Sequence, residues 1–244
     1  MLNSTVDLIP HPSSLIPLVL DGGMGTLLQE RGLRAGETPE DWNVERPDDI
    51  AAIHRAYVEA GAQVIYTNTF GANRLKYHGR HSLEEVIRCG LSIAHRAKGL
   101  EGLGGLESRQ RNAKVALDLG PTGRLLKPSG DLSFDDAVTA FSEAIRIATS
   151  QTSQTSQTFV PDLIVIETMG DILELKAAVI AAKETCDLPV WATASSLRAG
   201  RSSALRRSSS RSASMHTVST ADSVRTGCCR TWNALRSSRR SRSS

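Results

Sequence analysis

Four apolar runs, each followed at once by a polar cluster, constrain the fold more than any other feature of the sequence. They are residues 18–26 (LVLDGGMGT), 63–70 (QVIYTNTF), 115–123 (VALDLGPTG) and 163–169 (LIVIETM). Nearly continuous apolar runs are typical of parallel strands that are covered on both faces. Because α/β enzymes collect their chemistry at the carboxyl ends of such strands, the polar residues after each run are candidate functional residues.

Helical patterns alternate with these runs, and each begins at a recognisable start signal. The predicted helices start at Thr38, with apolar Ile50, Ile53 and Tyr57; at Ser82, with Val86, Ile87, Leu91 and Ala94; at Ser133, with Phe134, Val138, Phe141 and Ile145; and at Asp171, with Ile172, Leu175 and Val179. Thr38 is followed by a proline and two acids, and Ser82 opens a capping box, which are features of helix N-termini. Since strands and helices alternate, the sheet is predicted to be parallel.

A fifth strand-like run at residues 188–193 (LPVWAT) leaves a choice between a closed barrel and an open doubly wound sheet. Polar residues follow every run rather than meeting at one crevice, which favours an α/β fold with a (β/α)8 TIM-type barrel. A complete barrel takes about 250 residues. Because five strands have used the chain up to residue 194, the barrel is predicted to be incomplete, with about five strands.

The charge of the chain, +3 overall, is divided very unevenly along its length. Residues 195–244 contain eleven Arg, sixteen Ser and a single acid, whereas residues 1–194 contain 25 acidic and 18 basic residues. This tail has neither a strand nor a helix period, and too little apolar surface to offset chain entropy, so it is predicted to be disordered. We divide the chain into an N-terminal extension (1–17), a partial barrel (18–194) and an Arg/Ser-rich tail (195–244).

Neither the cysteines nor the N-terminus indicates export. The four cysteines are irregularly spaced, which does not suggest a disulfide framework: Cys89, Cys186, Cys228 and Cys229. The first twenty residues contain three prolines and no basic n-region, and no apolar run approaches the roughly 20 residues of a membrane span. A cytoplasmic location without membrane contact is therefore predicted.

The four polar clusters resemble those of the homocysteine S-methyltransferase family, the homocysteine-binding barrel also found at the front of cobalamin-dependent methionine synthase. The resemblance covers about residues 18–193, with DGGMGT at 21–26, TNTF at 67–70, GPTG at 120–123 and ETM at 167–169. Each motif alone is weakly specific. Four of them in the family's order, each at a strand end, are strongly specific.

This resemblance implies an enzyme that transfers a methyl group to the thiol of homocysteine and forms methionine. In the family, a zinc ion held by three cysteine thiolates binds and deprotonates the substrate sulfur. The family's ammonium-binding carboxylates match Asp21 and Glu167, and Gly22, Thr26 and Asn68 complete the implied substrate-binding set. The residues present do not separate methylcobalamin, betaine and S-methylmethionine as the methyl donor.

The residues by themselves leave other roles open at several of these positions. Asp21 precedes two glycines and could start a tight turn, while Thr67 and Asn68 could satisfy loop backbone groups. The same two roles, substrate contact and a bond to loop backbone groups, are open for Asp118. Glu167 directly follows four apolar residues, where an acid without a partner is costly, so a functional role is favoured there.

The zinc ligands of the family have no recognisable counterparts in this sequence. The family takes its cysteines from an Asn-Cys segment after the sixth strand and a Gly-Gly-Cys-Cys-Gly-Thr segment after the eighth. Residues 226–231 (TGCCRT) resemble the second segment, which makes Cys228 and Cys229 the candidate zinc ligands. However, no strand-like run precedes them, and Arg230 replaces a glycine. We therefore hypothesise a reading-frame shift near residues 194–198, which would leave this copy truncated and impaired.

Two other functions stay open. A non-catalytic half-barrel would bind homocysteine without methylating it, and zinc content would separate it from the enzyme. Alternatively, the Arg/Ser-rich tail would bind nucleic-acid phosphates through its eleven Arg. A single aromatic residue, Trp232, offers little base stacking, and the remainder of the chain is acidic, so a nucleic-acid partner is disfavoured.

Overall fold

The computed structural model describes residues 18–98, 113–150 and 159–194. One sheet contains the strands β1 (Val64–Tyr66), β2 (Lys114–Leu119), β3 (Leu163–Met169) and β4 (Val190–Ala194). The described helices are α1 (Met24–Glu30), α2 (Trp42–Glu45), α3 (Pro47–Glu59), α4 (Leu83–Lys98), α5 (Phe134–Thr149) and α6 (Ile172–Thr185), with a 3-10 turn at Pro39–Asp41. The predicted N-terminal extension and Arg/Ser-rich tail lie outside the described residues.

The strands lie in the sheet in their order along the chain, and every neighbouring pair is parallel. A doubly wound sheet reverses its strand order part-way across, which the described part of this sheet does not do. The first predicted run lies at the β1 edge, where Leu20 forms an isolated parallel bridge with Val64 and Gln63 N donates to Val19 O at 2.8 Å. The five predicted runs are therefore adjacent and in sequence order, and the predicted α/β barrel fold is confirmed as a partial barrel within the described residues.

The two faces of the sheet have different coverings. One face packs against α3, α4, α5 and α6 in the main core, through alternate strand residues that include Ile65, Leu117 and Ile164. On the other face a smaller cluster contains, among the described residues, only side chains of the strands: Val64, Ala116, Leu163 and Val165, packed with Tyr66 and Trp191. Since the helices cover one face, the second face corresponds to the interior of a barrel.

Three predicted helix starts are confirmed by their capping bonds. Ser82 Oγ accepts from Glu85 N at 3.1 Å, and Ser133 Oγ accepts from Asp136 N at 3.1 Å. Asp171 Oδ1 accepts from Leu173 N at 2.8 Å. Each oxygen satisfies an N–H group that has no partner within its own helix.

Two details of the predicted helices are wrong. Thr38 makes no side-chain capping bond, and the predicted single helix is divided into the 3-10 turn, α2 and α3. The division falls at Arg46 because the residue before a proline, here Pro47, is disfavoured from helical backbone angles. Ile172, which the apolar pattern of the fourth predicted helix places with Leu175 and Val179, is instead 59% exposed at the first position of α6.

Candidate substrate-binding site

The inner face of the sheet changes from apolar to polar at the carboxyl ends of the strands. Asp118 on β2 is in register with Val165 on β3, so both belong to the inner face, and Glu167 follows two residues later. Asp21 approaches from the run beside β1 and bonds to the backbone of Tyr66. Three carboxyl groups, those of Asp21, Asp118 and Glu167, therefore stand over an apolar floor.

Asp21 is held by the backbone of the neighbouring strand. Its Oδ2 atom accepts from Tyr66 N at 2.7 Å, while its buried Oδ1 atom has no hydrogen-bond partner among the described residues. Burial is the largest cause that raises the pKa of Asp21 to about 7; the Tyr66 bond lowers it and the Glu167 charge raises it further. A buried acceptor without a donor is rare in native proteins and suits a ligand that brings its own donor.

Glu167 lies at an irregularity of β3. The pairing of β3 with β4 slips between Ile166 and Met169, and Thr168 has a φ of 58°, in the left-handed region that a β-branched residue rarely adopts. This local strain is the kind that is retained at binding sites. Glu167 is half-buried, and burial raises its pKa.

Asp118 is the most deeply buried of the three carboxyl groups. It is 5% exposed, and its Oδ1 atom also has no hydrogen-bond partner among the described residues. Burial raises the pKa of Asp118 well above its usual range, and the charges of Glu167, Asp21 and Glu40 add to the effect. In the sequence Asp118 is not distinguishable from a loop residue, since one acid after three apolar residues does not reveal how deeply it is buried.

A lysine provides the positive charge nearest to this acidic site. The Lys76 ammonium nitrogen lies 4.4 Å from the ring centroid of Phe70, within the range of a cation–π contact. Its charge lowers the pKa of both Asp118 and Glu40, although burial dominates at each of those groups. The Lys76 side chain is exposed.

Gly22 and Thr26 lie at the edge of this site. Gly22 is exposed, and a Cβ atom placed on it would come 2.9 Å from the Tyr57 hydroxyl oxygen, so the position favours glycine. The same hydroxyl group donates to Gly23 O at 3.4 Å. Thr26 is exposed on α1, and its role in substrate binding stays a prediction.

Asn68 is buried in the scaffold beside the site. Its Nδ2 atom donates to Pro39 O at 2.8 Å and to Asn43 Oδ1 at 3.0 Å, while Asn43 donates back to Asn68 O at 2.8 Å. These bonds tie the segment after β1 to the 3-10 turn and α2. The amide nitrogen therefore has a structural use, and substrate contact by Asn68 stays a prediction.

Two buried glutamates fix the loops that follow β1 and β2. Glu40 Oε1 accepts from Gly71 N at 2.6 Å, and Glu174 Oε1 accepts from Thr122 N and Oγ1 at 2.7 and 2.6 Å. Both glutamates are 4% exposed. The sequence places both acids in the first turns of helices, and Glu174 belongs to a segment that resembles the family, but their bonding partners lie 31 and 52 residues away along the chain.

The described residues do not form a zinc site. No group of three or more His, Cys, Asp or Glu side chains in residues 18–98, 113–150 and 159–194 is arranged to hold a metal ion. Cys89 on α4 and Cys186 after α6 are free and half-buried. The candidate ligands Cys228 and Cys229 lie outside the described residues.

Comparison with known proteins decides the family. A model of the homocysteine S-methyltransferase family matches residues 18–238. The chain belongs to the homocysteine S-methyltransferase family. The match begins at the first predicted strand and extends past residue 193 to include Cys228 and Cys229.

Two methionine synthases to which the chain is similar are much longer than the matching region. The chain is 34% identical to methionine synthase from Mycobacterium tuberculosis over 176 residues, and 32% identical to that from Mycobacterium leprae over 178 residues. Each match covers 68% of this chain but only 14% and 13% of the relative. The chain therefore spans about a seventh of the length of these relatives.

Solved structures support the barrel architecture. The oxidized form of the homocysteine methyltransferase MmuM from Escherichia coli matches with a TM-score of 0.58 and 21% identity, over 72% of this chain and 61% of that chain. The metallated form matches with a TM-score of 0.57 and 20% identity, over 72% and 62%. Homocysteine S-methyltransferases and this chain thus share a fold. None of the described helices is long and apolar enough to cross a membrane.

Proposed function

We propose that this protein binds homocysteine and, when complete with zinc, transfers a methyl group to its thiol to give methionine. The observation that carries the proposal is the pair of carboxyl groups of Asp21 and Glu167, which lie at strand ends on the same edge of the sheet and interact electrostatically, in a chain of this family. The methyl donor is left open among methylcobalamin, betaine and S-methylmethionine.

The substrate ammonium group would supply the hydrogen-bond donor and the positive charge that the three-carboxyl site lacks. Asp21 Oδ1 is buried without a donor, and the Asp21 and Glu167 charges repel each other. An ammonium group offers three donors and one positive charge, so it satisfies the orphaned oxygen and reduces the repulsion together. Each charge-assisted bond contributes about 1.5–3 kcal/mol to affinity.

In the proposed reaction, activation of the substrate sulfur would require the zinc ion. A zinc ion would lower the pKa of the bound thiol and present a thiolate to the methyl donor. The described residues orient the amino acid, and the apolar floor beneath them excludes water from its side chain. Cys228 and Cys229 are the cysteines that remain available for the zinc ion, and a third ligand is required for a catalytic site.

Binding is tested by calorimetry of the full chain with L-homocysteine. We expect Asp21→Asn and Glu167→Gln each to weaken affinity by about ten- to a hundred-fold. Glu84→Gln, an exposed carboxyl-to-amide change on α4, is the matched control and should bind as the wild type does. Equal affinities for all four proteins would refute substrate binding at this site.

Zinc content and homocysteine methylation separate the enzyme from the non-catalytic half-barrel. About one zinc per chain with methylation would establish the enzyme and make Cys228 and Cys229 ligands. Homocysteine binding without zinc would establish the half-barrel. Translation of the gene in all frames tests the proposed frame shift, which fails if no other frame continues the barrel pattern after residue 194. Salt-sensitive binding of RNA or DNA without sequence preference would show simple electrostatic attraction to the tail.

A further inference from the structure

Asp118 places a third carboxyl group in the site, and the pair of Asp21 and Glu167 does not account for it. The register of β2 with β3 fixes Asp118 on the inner face, beside the strand that carries Glu167. The backbone groups of Asp118 are already bonded: its N donates to Thr67 Oγ1 at 3.2 Å and its O accepts from Thr69 Oγ1 at 2.9 Å. These bonds fix the backbone of Asp118, so the carboxyl group is the part of the residue that is available to a ligand.

The carboxyl group of Asp118 has no structural partner that explains it. Asp118 is only 5% exposed, and its Oδ1 atom lacks a hydrogen bond in the described part of the chain. Burying an ion without a partner is so unfavourable that the group takes up a proton instead. An apolar residue would fill a purely structural position at less cost, so the acid indicates a ligand.

The surroundings of Asp118 contain more negative than positive charge. Glu167 on β3, Asp21 beside β1 and Glu40 in the 3-10 turn each raise its pKa, after burial, and Lys76 lowers it. The Tyr66 phenol is also close, and its own pKa is raised by burial, then by Asp21, Glu167 and Asp118. The described residues do not group into a metal site, whereas Asp21, Asp118 and Glu167 interact electrostatically, so an organic cation is the ligand that fits their shared negative charge.

We propose that Asp118 is a third substrate-binding residue, whose carboxyl group is protonated in the free protein and releases that proton to solvent when the substrate ammonium group binds. The ammonium group then donates one hydrogen bond to each of Asp21, Asp118 and Glu167. This inference rests on the proposed function. It adds that substrate binding is coupled to proton release at a specific oxygen.

Calorimetry in two buffers of different ionisation enthalpy measures the protons released on binding. At pH 7 we expect Asp118→Asn to release about one proton fewer than the wild type on binding L-homocysteine. Asp21→Asn should release only about half a proton fewer, since a group with a pKa of about 7 is half protonated at that pH. Any proton lost from the thiol is common to all proteins and cancels in these differences. Glu84→Gln should match the wild type.

A second ligand, which lacks the amine, tests whether the proton release depends on the ammonium group. 4-Mercaptobutanoate keeps the thiol and carboxylate of homocysteine but lacks the amine, so Asp118→Asn and the wild type should release equal numbers of protons with it. If Asp118→Asn fails to fold or bind, the 13C resonance of the Asp118 carboxyl group in the wild type decides. It should change from the protonated to the ionised position when L-homocysteine is added at pH 7.

The outcomes separate this inference from the proposed function. Homocysteine binding with the same proton release in Asp118→Asn as in the wild type overturns the role of Asp118 and leaves the proposed function standing. An Asp118 resonance that is already ionised in the free protein does the same. A wild-type protein that does not bind homocysteine overturns both proposals.

Discussion

His54 on α3 provides a sharp test of the packing around the helices. The side chain is fully buried, and neither ring nitrogen has a hydrogen-bond partner among the described residues. Burial lowers the pKa of His54 from 6.5 to about 4. We expect His54→Leu to stabilise the protein, and to do so increasingly as the pH falls, because the replacement removes two unsatisfied polar atoms and cannot bind a proton in the unfolded chain.

The pH dependence follows from linkage. Between pH 6.5 and pH 4, the unfolded chain takes up a proton at His54 and the folded chain does not, so stability is lost as the pH decreases. A shift from 6.5 to about 4 gives a loss of about 2 kcal/mol at pH 5 and almost none at pH 8. Asp21 acts in the opposite direction, since its raised pKa favours the folded state at low pH. Its contribution cancels when the variant is subtracted from the wild type.

Urea unfolding of the wild type and of His54→Leu at pH 8 and pH 5 measures this difference. The stability advantage of the variant should increase by about 2 kcal/mol between the two pH values. His78→Leu, which replaces an exposed histidine, is the matched control and should show no comparable increase. A change under about 0.5 kcal/mol for His54→Leu would refute the reasoning, because it would mean that the folded state can protonate the ring.

Four further substitutions test contacts in the loops around the site and the packing of two glycines. Glu174→Gln should destabilise the protein by about 1–3 kcal/mol in urea unfolding, since Thr122 N and Oγ1 lose a charged acceptor; an unchanged midpoint would show that the loop does not depend on it. Tyr77→Phe removes the 2.5 Å bond from the hydroxyl group to buried Asp41 and should cost about 1–3 kcal/mol in the same assay, with equal stability as the contrary result. Gly120→Ala should destabilise the protein by at least about 1–3 kcal/mol, because the new Cβ would lie 2.6 Å from Phe70 O. Gly25→Ala in α1, whose new Cβ would meet no atom of the surrounding structure within 4 Å, should be neutral or stabilising by up to about 1 kcal/mol. Thermal melts that rank the two variants the other way would contradict this packing.

The sequence alone determined the order of strands and helices and the family. Strand-like runs and capping residues such as Ser133 and Asp171 are local features, because an N-cap acts on an N–H group two or three residues away. Asp21 and Glu167 were identified by their motifs, and the structure places both at the same edge of the sheet, on strands separated by β1 and β2. The order of the five strands of the partial barrel in the described residues also followed from the sequence.

The tertiary structure was needed to show which acids are buried and which groups of the protein they accept hydrogen bonds from. Asp118 and Glu174 look like ordinary acids in sequence, and so does Glu40. Their burial is created by segments that lie far away along the chain, as when Glu40 meets Gly71 and Glu174 meets Thr122. A carboxyl group's desolvation depends on everything packed around it. No local pattern contains that information, and the chemistry of this site therefore became visible only when the strands were placed side by side.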